Sequence, residues 1–128
     1  MFSHIMLGAN DITKSQKFYD ALLKELGHPP ATLDKKGRPW WRTPFGVLAL
    51  SVPINGESAC NGNGSTIGFE AKDSDSVDKW HSAGLKHGGT ECEDGPGIRQ
   101  GSTGPMYLGY LRDPAGNKVC ALHRLKND

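Results

Sequence analysis

No one sign of charge dominates this sequence of 128 residues, in which 15 lysines and arginines stand against 14 aspartates and glutamates. A net charge of +1 creates no field that would attract nucleic acid or an anionic membrane surface. No apolar run approaches the roughly 20 residues that a membrane span needs. The N-terminus has no basic stretch before its apolar part, so it lacks the pattern of a signal peptide. We therefore expect neither a nucleic-acid partner nor a membrane.

Cysteine is also scarce. Cys60, Cys92 and Cys120 are odd in number, widely spaced and without a C-x-x-C pair. This pattern disfavours a disulfide framework and a structural zinc site, and it is typical of a reducing compartment. We expect a cytoplasmic protein.

Glycine, in contrast, is abundant: 17 residues, about twice the average usage of roughly 7%. The length corresponds to one domain, residues 1–128, with enough chain to bury a core of its own.

The sequence repeats itself at an offset of 62 positions. This shift aligns Ser3-His4-Ile5 with Ser65-Thr66-Ile67, Asp11 with Asp73, and Lys17-Phe18-Tyr19 with Lys79-Trp80-His81. Two unrelated strand–helix units would also share Asp caps and apolar spacing, but such patterning does not demand the shared lysines and glycines. We predict two modules, 1–56 and 64–126, joined by a linker over 57–63.

Each module has the pattern β-α-β-β-β. Asp11 and Asp73 are expected to cap the two helices, and Gly27 and Gly88-Gly89 to end them. The second helix has a thin apolar stripe of Val77, Trp80 and Leu85, and Gly84 is expected to weaken its centre.

The strands that follow the helices differ in how clearly the sequence marks them. The first module has a hairpin with Lys36-Gly37 at its turn and an apolar strand from Gly46 to Val52. In the second module, strands over Met106–Arg112 and Lys118–Arg124 flank Asp113-Pro114-Ala115-Gly116. Residues 95–105 hold four glycines and two prolines, so we predict a loop there.

Two stretches resemble the vicinal oxygen chelate superfamily, which includes glyoxalase I, bleomycin-resistance proteins and extradiol dioxygenases. They are His4-Ile5-Met6-Leu7 with Asn10-Asp11-Ile12 and Phe18-Tyr19, and the closing Tyr110-Leu111-Arg112-Asp113-Pro114-Ala115-Gly116. The resemblance implies an α+β, glyoxalase-like fold in which two tandem βαβββ modules form a cupped half-barrel sheet. It also implies a ligand site on the concave side and a homodimer.

Active members of that superfamily hold one divalent metal with side chains from four strands. Carried onto this sequence, the four positions fall on His4, Ala49, Thr66 and Cys120, so one usual ligand and one thiol remain. Glu70 lies on the strand of Thr66 with the same orientation by alternation and could complete a His4–Glu70–Cys120 site. We expect either no cofactor or a weakly bound zinc, nickel, manganese or iron ion.

Other side chains are candidates for contact with a ligand. Trp40 and Trp41 must point to opposite faces of a strand, so one should line the concavity and the other pack beneath a helix or at a dimer contact. The resemblance places Tyr110 towards the ligand. Arg99 stands in a stretch that is either a mobile flap, with the guanidinium free for a carboxylate or phosphate, or a solvated connection.

Two functions remain open at this point. The replaced metal positions favour a protein that binds a small organic molecule through His4, Trp40 or Trp41, Thr66, Tyr110, Cys120 and Arg99. The alternative is a metal-dependent lyase or isomerase of the glyoxalase type, or a dioxygenase relative, with an unusual site around His4. The catalytic residues and the substrate stay unidentified.

Overall fold

A computed structural model describes residues 1–126, so the last two residues of the predicted domain lie outside the described part. The elements, in order, are β1 (Ile5–Gly8), α1 (Ile12–Lys24), β2 (Thr32–Leu33), β3 (Pro39–Thr43), β4 (Gly46–Ser51), β5 (Ile67–Glu70), α2 (Ser74–Lys86), β6 (Thr90–Glu91), β7 (Gly97–Gly101), β8 (Gly104–Arg112) and β9 (Lys118–Arg124). The predicted α+β architecture is confirmed. Neither helix of this part is long and apolar enough to cross a membrane.

The repeat is visible in the element bounds. β1 and β5 begin 62 residues apart, and α1 and α2 begin and end at the same offset. Asp11 accepts a hydrogen bond from the Lys14 amide and Asp73 accepts one from the Ser76 amide, so both predicted N-caps are confirmed. The segment between β4 and β5 contains neither helix nor strand and includes the predicted linker.

The strands form two separate mixed sheets. Sheet A has the order β1-β4-β3-β2, and sheet B has the order β5-β9-β8-β6, with β7 also paired to β8. Within residues 1–126, β1 and β5 are both edge strands, and each is parallel to the one strand beside it. The concave surface of the predicted half-barrel is therefore divided, in this chain, between two sheets that are not closed.

The predicted loop over residues 95–105 is wrong in part. Gly97–Gly101 forms β7, which pairs antiparallel with β8 from Gly97↔Leu108 to Gly101↔Gly104. Glycine is rare in strands because it has no side chain to pack, and proline because it has no N–H to donate, but β7 itself contains no proline and its ladder to β8 uses only main-chain groups. The unpaired length of β8 supplies these groups, and sequence pattern alone does not reveal that.

One core joins both modules. It contains the helix-facing side chains of both sheets, among them Leu50 and Val119, together with Phe18 of α1 and Trp80 of α2. We call the opposite side of each sheet its outer face. The sequence predicted Leu85 as part of the apolar stripe of α2, but Leu85 lies outside the core, because 37% of it is exposed.

Gly84 takes the place of Leu85 on the buried side of α2. A Cβ atom on Gly84 would overlap Leu111 Cδ1 and would lie 3.2 Å from Phe18 Cε2. The glycine that was expected to weaken α2 is therefore a point of close approach between α2, Leu111 of β8 and Phe18 of α1.

A second link between the modules is the turn after β8. The carboxylate of Asp113, which is 4% exposed, accepts hydrogen bonds from the amides of Ala115 and Asn117 and from Asn117 Nδ2. It also accepts the hydroxyl of Tyr19 at 2.6 Å, and Asn117 Nδ2 donates to the carbonyl of Gly8. Burial, followed by the neighbouring Asp113, raises the pKa of Tyr19 well above its usual 10.0. These hydrogen bonds therefore stabilise the turn and also connect it to Tyr19 and Gly8 of module one.

Candidate functional site

A groove of about 680 Å³ lies between the two modules. The edge strand β5 forms one wall, and the N-terminal segment with the β3–β4 hairpin forms the other. Apolar side chains such as Leu26, Ile67 and Phe69 line it, while His4 and Glu70 are exposed members of the lining. The groove therefore brings three of the predicted site residues, His4, Trp41 and Glu70, to one surface.

Trp40 and Trp41 occupy opposite faces of β3, as alternation predicted. Trp41 is 2% exposed, packs against Tyr19 at 5.6 Å between ring centroids and donates its indole N–H to Asp20. Trp40 lies half-buried on the outer face of sheet A. Trp41 is thus a core residue that closes one side of the groove, and Trp40 is the aromatic residue of the outer face.

Two guanidinium groups and an imidazole ring surround Trp40. The guanidinium of Arg42 lies 4.5 Å from the indole centroid, that of Arg38 lies at 5.9 Å, and the His4 ring centroid lies at 5.5 Å. Asp34 accepts the indole N–H at 3.0 Å and pairs with Arg38 at 2.7 Å. The Trp40 hydrogen bond, followed by the bonds from Arg38, holds the pKa of Asp34 well below its ordinary range. Asp34 is therefore ionised, and it holds the Trp40 indole and the Arg38 guanidinium in place.

The outer face of sheet B carries a different cluster. Tyr110 lies opposite Cys120, and the ammonium of Lys118 lies 4.6 Å from the Tyr110 ring centroid while it pairs with Glu93. Glu93 has a φ of 61°, which is rare for a residue with a side chain and costs of order 1 kcal/mol or more. Burial, followed by Cys120 and Glu93, raises the pKa of Tyr110.

Arg99 lies on the same face as this cluster, because its register partner Met106 is four residues from Tyr110 on β8 and so shares the face of Tyr110. Its Nη2 donates to the carbonyls of Asp94 and Gly95 at 2.9 and 3.1 Å. The side chain therefore holds the loop before β7, and the alternative of a solvated connection describes its observed contacts better than a free flap.

Proteins of known structure resemble this chain. A glyoxalase/bleomycin resistance protein from Albidiferax ferrireducens T118 is 53% identical, with a TM-score of 0.93 over 97% of this chain and 99% of the other. This chain belongs to the glyoxalase/bleomycin-resistance family. No family model and no curated protein matches the sequence.

More distant structures share the family fold. A glyoxalase-related enzyme from Fulvimarina pelagi is 18% identical, with a TM-score of 0.74 over 97% of this chain and 88% of the other. A lactoylglutathione lyase from Agrobacterium tumefaciens is 22% identical, with a TM-score of 0.65 over 96% and 92%. These similarities support the glyoxalase-like arrangement of this chain.

The metal that active superfamily members hold does not fit the residues of one chain here. His4 is exposed on β1's side of the groove, whereas Cys120 is buried on sheet B and does not line that groove. Ala49 and Thr66 offer no imidazole or carboxylate. Within residues 1–126, no three His, Cys, Asp or Glu side chains come close enough to hold a metal ion, so one chain does not gather the predicted His4–Glu70–Cys120 set.

His4 is exposed, and its Nδ1 forms a hydrogen bond with the neighbouring Ser3 hydroxyl at 2.7 Å. Thr66 is also exposed, just before β5. Both side chains are therefore free to contact a molecule in solution.

Cys120 is expected to be the least reactive thiol of the protein. It is 7% exposed, and burial raises its pKa from 9.0 to about 11, which lowers the thiolate fraction at a given pH about a hundredfold. Labelling with iodoacetamide at pH 8, followed by peptide mass spectrometry, should modify the exposed Cys60 at least about a hundred times faster than Cys120. Equal rates in the native protein would contradict this, and guanidinium should remove the difference.

Sequence reasoning missed Arg42 and Glu93. Arg42 could have been found, because Trp40 and Arg42 are two apart on one strand and so share a face. Glu93 could not, since its contact with Lys118 depends on a left-handed backbone at one position of an irregular segment.

Proposed function

We propose that this family member binds a small organic molecule in the groove between its modules, without the usual four-ligand metal site. The observation that carries the proposal is the groove itself, whose volume of about 680 Å³ is that of a typical ligand pocket. Its apolar lining with a few polar groups at the rim is also typical of such sites. This is the binding function that the sequence favoured. We propose that the ligand binds in the groove, which His4 and Glu70 line, and not on the outer faces of the sheets.

A neutral fluorophore tests the proposal. N-phenyl-1-naphthylamine should bind the protein with a rise in fluorescence, and Gly46→Phe should weaken that binding at least about tenfold. Gly46 lines the groove, has no positive φ, and a Cβ atom there would meet nothing within 4 Å, so the new ring fills space without a clash. The matched control is Gly95→Phe, at an equally open position that does not line the groove.

Two results would contradict the groove as the binding site. One is an unchanged affinity in Gly46→Phe with a normal unfolding midpoint, and the other is an equal loss in both variants. A structure with the probe bound elsewhere would lead to the same conclusion.

The second candidate is a metal-dependent lyase or isomerase, or a dioxygenase relative, with an unusual site around His4. The exposed imidazole at the groove favours it, as does the structural similarity to a lactoylglutathione lyase. Elemental analysis of protein purified without chelator, together with a thermal-shift screen of Ni²⁺, Zn²⁺, Mn²⁺ and Co²⁺, separates the two functions. Stoichiometric metal that is lost in His4→Ala would replace the binding function by this one.

A homodimer in the cytoplasm completes the proposal. The unpaired edges of β1 and β5 and the exposed apolar side chains Met6, Phe45 and Ile54 support self-association. The three cysteines are free thiols, which supports a reducing compartment.

A further inference from the structure

We infer that the molecule bound in the groove is an apolar carboxylic acid, whose carboxylate is held by Arg42. This inference rests on the proposed binding function and adds the chemical class of the ligand. It is carried by the group of side chains around Trp40, which borders the groove through His4 and Val47.

The position of Arg42 follows from the register of sheet A. Arg42 lies directly opposite Val47, and Val47 lines the groove. His4 also lines the groove and packs against Trp40, on which the Arg42 guanidinium rests. Arg42 is therefore the direct cross-strand neighbour of a residue in the groove wall, and we infer that its long side chain contacts a polar group at the mouth.

The charge of Arg42 is uncompensated, in contrast to that of Arg38. Asp34 pairs with Arg38 and also accepts the Trp40 indole N–H. Among residues 1–126 no carboxylate forms an ion pair with Arg42, which is exposed. Contact with the indole positions the exposed guanidinium, whose planar set of N–H donors suits a carboxylate with two oxygens.

The other charges of the groove do not oppose this assignment. Glu70 and Lys72 both line the groove, so its lining contains an ammonium group as well as a carboxylate. His28 adds a further nitrogen donor or acceptor to the lining. With the apolar floor provided by Leu26 and Phe69, the complementary ligand has an apolar body and one negative group.

The test uses 1-naphthoate and its neutral counterpart 1-naphthamide, measured by isothermal titration calorimetry in 50 mM NaCl. The acid should bind about tenfold more tightly than the amide, as one charge-assisted contact implies. Arg42→Gln should weaken the acid about tenfold and leave the amide unchanged, and Arg42→Lys should restore part of the affinity. Lys17→Gln, which removes an exposed positive charge on α1, should change neither.

Each outcome decides a different claim. Equal binding of acid and amide would overturn the carboxylate assignment and leave the groove as a binding site. A loss of acid binding that is equal in Arg42→Gln and Lys17→Gln would overturn the role of Arg42. If neither probe binds while N-phenyl-1-naphthylamine does, the inference fails and the proposed function stands, and if no probe binds, both fail.

Discussion

Replacing Asp113 by alanine should lower the free energy of unfolding by at least about 3 kcal/mol, because several buried donors lose their common acceptor. These donors are the Tyr19 hydroxyl, the amides of Ala115 and Asn117, and the Asn117 side chain. Water does not reach the site, since Asp113 is 4% exposed and Tyr19 is fully buried. For a chain of this size we expect a fall in the thermal midpoint on the order of 10 °C.

Two further variants show where the loss arises. Tyr19→Phe removes a single donor and should cost about 1–2 kcal/mol, measured by urea unfolding. Asp94→Ala removes a carboxylate from an exposed position and should stay within about 0.5 kcal/mol of the parent. A stability of Asp113→Ala equal to that of Asp94→Ala would refute the role of the turn as the link between modules.

Gly84→Val should cost about 3 kcal/mol, although valine has the better intrinsic helix propensity. The reason is steric, since the first side-chain carbon already overlaps Leu111 and touches Phe18, both fully buried. Gly84→Ala should lose about 1 kcal/mol, because the gain in helix propensity, about 1 kcal/mol, offsets part of the strain.

Gly95→Val is the matched control for this series. A Cβ atom at Gly95 would have open space around it and the backbone φ is not positive, so the variant should unfold at the parent's urea midpoint. If Gly84→Ala were more stable than the parent, the close approach of α2 to β8 would not limit this position.

The two helices and their caps were predictable because their signals are local. An aspartate before the helix and a glycine after it act within a few residues, and the observed φ values of 89° at Gly27 and 97° at Gly88 are those of left-handed helix ends. The offset of 62 added independent support, since each half of the sequence served as a check on the other.

Features that depend on distant partners were not predictable in this way. β7 forms because β8 continues past its pairing with β6, and Gly84 is buried because Leu111 and Phe18 approach it. The Asp113 motif was recognised from its residues, but nothing near it in sequence names Tyr19, 94 positions away, as its partner.

The candidate site divides along the same lines. Alternation correctly predicted that Trp40 and Trp41 lie on opposite faces of their strand. The family resemblance marked His4 and Cys120 as candidate site residues. The groove could not be predicted, because its walls come from both modules and its volume depends on how they pack. The position of Arg42 beside Trp40 could be predicted from the sequence. The ion pair between Arg38 and Asp34, which leaves Arg42 without a carboxylate partner among residues 1–126, could not.

The hydrogen bond from Tyr19 to Asp113 also has a consequence for synthesis of the chain. Translation proceeds from the N-terminus, so α1 leaves the ribosome long before its acceptor has been made. Until then the Tyr19 hydroxyl lacks its acceptor, and the part of α1 that packs against α2 has no partner, although Trp41 of the same module already packs against Tyr19. The contacts between α1 and the second module can form only when the second half has emerged, so we expect the nascent half-chain to expose apolar surface that favours aggregation and capture by chaperones.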